Sequence, residues 1–77
     1  MNLEPVFVAA NVAEADFVAR LFEKEGIPYQ ERLEAVMRET SNVCYQGTLF
    51  EVPAKNAGYC RELLGRIGMQ GGIIGAR

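Results

Sequence analysis

The sequence predicts an α+β fold in which strand, helix, strand, strand and helix follow one another, giving a three-stranded antiparallel sheet with two helices on one face. Three observations predict it. The apolar run Val6-Phe7-Val8-Ala9-Ala10 gives way to a helical spacing that starts at Ala13. Gly26-Ile27-Pro28 ends that spacing, and a stretch rich in strand formers runs from Val43 to Val52. A second helical spacing then joins Ala57, Cys60, Leu63, Leu64 and Ile67. At 77 residues, 49% of them hydrophobic and 23% charged, the chain is one folded domain and not a disordered one.

The first strand, Val6 to Ala10, mixes β-branched and aromatic residues and is expected to be buried on both faces. Asn11 caps the helix that follows, and Glu14 completes a variant of the capping box by reaching back to the Asn11 backbone. Ala13, Phe17, Val18, Leu21 and Phe22 form its apolar stripe, with Asp16 and Arg20 paired on the exposed side. Gly26 supplies the left-handed residue that closes the helix, Ile27 folds back onto Phe22, and Pro28 bars continuation.

Residues 29 to 37 fit two readings. Glu31 to Arg38 are largely good helix formers, whereas Ile27, Tyr29, Leu33 and Ala35 fit a period of two. We assign the segment to a strand, paired across the polar turn Arg38-Glu39-Thr40-Ser41-Asn42 with the strand that ends at Pro53. Residues 54 to 67 form the second helix and Gly68 stops it. The domain thus spans residues 1–68. Residues 69–77, glycine-rich, form a flexible tail or a short edge strand, with fraying the expectation. The expected core includes Val6, Val8, Phe17, Leu21, Leu49, Cys60, Leu63 and Leu64.

The inventory excludes several chemistries. There is no histidine, which removes the usual neutral-pH base and every serine-histidine or cysteine-histidine dyad. Cys44 and Cys60 make no metal-binding spacing, so no metal or other cofactor is expected, and both read as buried free thiols of a cytoplasmic protein. The apolar stretches are too short for a secretory leader or a membrane span. A net charge of -2 speaks against nucleic acid, although residues 1–50 carry four basic and eight acidic side chains and residues 51–77 four and two. The scattered glutamates pair with no second catalytic group, and we expect no enzyme.

Three stretches carry a family resemblance: Val6-Phe7-Val8-Ala9 followed by Asn11-Val12-Ala13-Glu14-Ala15, the exit Glu25-Gly26-Ile27-Pro28, and Leu49-Phe50-Glu51-Val52-Pro53 leading to Ala57 and Leu63-Leu64. In these the chain resembles a small bacterial family described as prokaryotic signal-transducing proteins. The resemblance implies a ferredoxin-like, PII-like plait and a regulatory role. Nucleotide binding is not carried over, because the long loop that serves it in PII-type proteins is replaced here by about five polar residues, Arg38 to Asn42.

Two functional expectations follow. Phe7 and Ala9 alternate with Val6 and Val8, and Phe50 and Val52 with Leu49, so both sheet faces carry apolar side chains while two helices cover only one. The open face is expected to be sealed by a second copy or a protein partner, with Phe7, Tyr45 and Phe50 as interface candidates. The alternative is a small anion- or nucleotide-binding site at the start of the second helix, where Lys55 and Asn56 meet free backbone N–H groups and Arg38 adds a phosphate contact.

Overall fold

The computed structural model describes residues 2–36 and 45–75. Its elements are β1 (Leu3–Ala9), α1 (Val12–Glu25), β2 (Gln30–Val36), β3 (Tyr45–Pro53) and α2 (Ala54–Arg66), followed by a 3-10 turn at Gln70–Gly72. The strands form one sheet in the order β1-β3-β2, with β3 antiparallel to both neighbours. The fold class is therefore the α+β arrangement that the spacing predicted, and its strand order is consistent with the small plait that the resemblance implied. The expected turn Arg38 to Asn42, with Val43 and Cys44, lies outside the described residues.

Local chemistry sets the limits of α1. The Asn11 side chain accepts the Glu14 amide at 2.8 Å, while the Glu14 carboxylate accepts the Ala10 amide at 2.8 Å, so cap and third residue bind each other's backbone neighbourhood. Such a cap contributes about 1 kcal/mol. At the other end Gly26 takes φ +73°, the Ile27 amide donates to the Phe22 carbonyl at 2.9 Å, and the Gly26 amide donates to that of Glu23 at 3.1 Å. This pair of bonds reverses the chain and drops Ile27 into the core beside Phe22.

Residues 30–36 are extended, so the alternating pattern prevails over local helix propensity. Tertiary pairing decides it: every residue of β2 has a partner on β3, from Gln30 opposite Glu51 to Val36 opposite Tyr45. The register between β1 and β3 shifts between Pro5 and Phe7, leaving Val6 as an extra residue. A bulge of this kind turns two successive side chains to one side, and Val6 and Phe7 both join the core beneath the helices. That core contains Ala9, Phe50 and Val52 from the sheet, Val18 and Phe22 from α1, and Ala57, Cys60 and Leu64 from α2, so both helices cover the same face.

Three expectations are corrected. Phe17 is 50% exposed and Ala13 is exposed, because α1 is rotated so that Ala15, Val18, Ala19 and Phe22 face the sheet. The small Ala15 and Ala19 pack against the core from the helix. Leu21 and Leu63 are half-buried. Secondly, the tail does not fray before residue 75: the Ile74 amide donates to the Val6 carbonyl at 2.9 Å and Ile73 bridges Phe7 in antiparallel fashion, extending the sheet at the free edge of β1. Arg61 on α2 holds it there, its Nε donating to the Ile74 carbonyl at 2.7 Å and its Nη2 to the Pro5 carbonyl and the Glu4 carboxylate, each at 3.2 Å. Thirdly, the second sheet face is not apolar throughout. Val8 and Leu49 pair there and are buried, but beside them Arg32 binds Glu34 at 3.0 Å and Glu51 at 3.5 Å.

The tail docks through a glycine. A Cβ on Gly72 would lie 2.5 Å from the Phe7 ring and 2.7 Å from the Val8 carbonyl oxygen, and the ring is locked in the core. We expect Gly72→Ala to destabilise the fold by about 1–3 kcal/mol in urea unfolding, as overpacked cores do; an unchanged midpoint would show that the tail does not hold this position in solution.

Candidate functional site

The core of the molecule is an aromatic cluster on the central strand. Phe50 lies 5.9 Å from Phe22 with its ring perpendicular, 5.8 Å from Tyr29 and 6.5 Å from Phe7, and Phe22 meets Tyr29 edge-on at 5.8 Å. These separations suit edge-to-face and tilted packing of aromatic quadrupoles. Phe7 and Phe50 are fully buried by this chain's own atoms. They therefore offer no surface to a partner, which corrects their expected role as interface residues. Tyr45 opens β3 opposite Val36, and its side chain lies outside the described atoms.

The anion candidates fall at the start of α2. The helix begins after Pro53 with no side-chain cap and no acidic residue in its first turn. Its first amide, that of Ala54, donates to the Asn2 carbonyl at 2.9 Å. Asn2, Pro53, Ala54 and Lys55 line an open depression of about 290 Å³. Lys55 is exposed and Asn56 is half-buried one position further along the helix. Arg38 lies outside the described residues, so of the three candidates the structure brings together Lys55 and Asn56.

Cys60 is buried on the core face of α2, and removal from water pushes its thiol above the ordinary range despite the Arg61 charge beside it. A nucleophile needs the opposite shift. Cys44 lies outside the described residues. Among the described residues no cluster of carboxylates and thiols could hold a metal ion, and no helix is long and apolar enough to cross a membrane.

Two phenols anchor the end of α1. Tyr29 donates to the Glu23 carboxylate at 2.7 Å, and Tyr59 on α2 donates to Glu25 at 2.9 Å. The hydrogen bond to Glu23 is the main reason that Tyr29 is pushed up to about 12, with desolvation next, and the bond to Glu25 raises Tyr59 likewise.

Five large apolar side chains are exposed among the described residues. Val12, Phe17, Leu33, Tyr59 and Ile67 all keep large accessible areas, Leu33 at 70%. Sequence reasoning placed Phe17 and Ile67 on buried stripes and missed Leu33 as a surface residue. The available signal was its setting: Glu31, Arg32 and Glu34 surround it. Comparison with protein-family models gives no match, and neither the curated proteins nor the solved structures contain a significant match.

Because Tyr29 ionises at higher pH folded than unfolded, its contribution to stability is complete below pH 10 and is lost as pH rises through about 12. We expect ultraviolet titration to show a phenol ionising near pH 12 that moves down toward 10 in Glu23→Ala, which removes the acceptor; no movement would mean that the Tyr29–Glu23 bond is not formed in solution.

Proposed function

We propose that the chain is a non-enzymatic regulatory or signal-transducing module, acting in the cytoplasm by association with a second copy of itself or another protein. The observation that carries this reading is the set of exposed large apolar residues, Val12, Phe17, Leu33, Tyr59 and Ile67, on a domain whose core is already complete. Exposed apolar area on so small a fold favours a partner, since each such side chain gains about 1.5–3 kcal/mol on full burial. The family resemblance in Val6 to Ala15, Glu25 to Pro28 and Leu49 to Leu64 supports the regulatory role, and the raised, buried Cys60 thiol agrees with a non-catalytic one. Sedimentation velocity from tens to hundreds of micromolar is expected to show a weight-average mass that rises with concentration. A constant 8.5 kDa would remove self-association.

A second reading, a small anionic ligand at α2, is favoured by one observation: an uncapped helix start that opens onto the depression beside Lys55. Titration with inorganic phosphate should then shift the Lys55 and Asn56 amide resonances saturably. Resonances that stay in place to millimolar phosphate would retire it.

A further inference from the structure

The two margins of the sheet are treated differently. At β1 the tail covers the edge through Ile73 and Ile74, and a bulge interrupts the strand. At β2 the outer edge carries no proline, and its register with β3 runs without a shift from Gln30 to Val36. An edge of seven residues that nothing among the described residues covers is a template for another strand. Charges usually guard such edges. Here they are of both signs and stand symmetrically about an apolar residue, Arg32 and Glu34 flanking Leu33.

We propose, resting on the association reading above, that β2 pairs with β2 of a second copy about a two-fold axis through Leu33, joining two three-stranded sheets into one. Antiparallel pairing about that point overlaps all seven residues of the strand. It sets Leu33 against Leu33 of the copy, Arg32 against its Glu34, and Glu34 against its Arg32. Other two-fold registers fail on geometry, charge or length. An axis between two residues would oppose side chains of opposite faces, centring on Arg32 opposes two guanidinium groups, centring on Glu34 opposes two carboxylates, and centring further out overlaps three residues of the strand or fewer. The central side chains are available: Leu33 is 70% exposed, and the Arg32 and Glu34 side chains are 54% and 40% exposed. Arg32 and Glu34 share the sheet face of Glu51, so the paired charges extend an ion-pair group already present within each copy.

The symmetry provides a test. Arg32→Glu leaves acids on both sides of Leu33, and Glu34→Arg leaves bases on both sides. Each variant alone opposes like charges across the axis, so its dimer dissociation constant should rise about tenfold or more over the unmodified chain. An equimolar mixture opposes unlike charges at both places and should recover association to within a few-fold of the original. Leu33→Lys, at a position that the core does not use, should abolish the dimer while the circular dichroism spectrum is unchanged. If the unmodified chain associates but the mixture is no tighter than either variant, or Leu33→Lys still dimerises, the copies meet elsewhere: the edge proposal falls and the association reading stands. A full-length chain that stays monomeric at hundreds of micromolar overturns the edge proposal together with self-association.

Discussion

Phe50 organises this molecule. It is the residue on the central strand from which rings of β1, α1 and the approach to β2 are all reached, at centroid distances of 5.8 to 6.5 Å. A chain of this size has little apolar surface to bury, and about 1.5–3 kcal/mol per large side chain must offset the ordering of the whole backbone. The fold concentrates four aromatic side chains, Phe7, Phe22, Tyr29 and Phe50, at one point. The bulge at Val6 serves the same end, because it directs Val6 as well as Phe7 beneath the helices and draws two core residues from successive positions.

The same constraint accounts for the tail. With only two helices over the sheet, the outer side of β1 and the Phe7 ring need a further neighbour, and residues 70–74 provide it. The contact is made by backbone bonds and by the Arg61 guanidinium, which ties Ile74, Pro5 and Glu4 to α2. Gly72 is where the turn passes so close to Phe7 that no side chain fits. The bridge stands where a fourth strand would lie in a larger plait, reduced here to a single paired residue.

What was legible in the sequence follows the range of the interactions involved. Asn11 and Gly26 act on backbone groups within a few residues, and both limits of α1 stand where those residues predict them. Choosing between helix and strand for residues 30–36 required the partner strand, and the period of two indicated it despite the helix-forming Glu31, Arg32 and Glu34. The rotation of α1 was legible in part: Val18, Leu21 and Phe22 of the expected stripe reach the core, whereas Ala13 and Phe17 stay exposed and Ala15 and Ala19 take their place. The tail was legible only as one of two options, the short edge strand, since what fixes it is distant in sequence: Arg61 lies 13 positions from Ile74 and 56 from Pro5. Of the candidate site, Lys55 and Asn56 stand at the helix start as read, while Phe7 and Phe50 are interior.

That last difference moves the locus of association. Apolar alternation in β1 and β3 suggested a greasy open face, yet β2 contributes Gln30, Arg32 and Glu34 to it, and Arg32 is held between two carboxylates. A face bearing a half-exposed ion-pair group is costly to dehydrate over a flat contact, because the charges would lose water without gaining new partners. An edge contact does not ask this of them. Strand pairing leaves both faces of the sheet in water at the seam and adds main-chain hydrogen bonds in place of buried area, so the few apolar atoms of Leu33 suffice at the centre. The polarity that disfavours stacking sheet on sheet is thus the property that allows two sheets to be joined side by side.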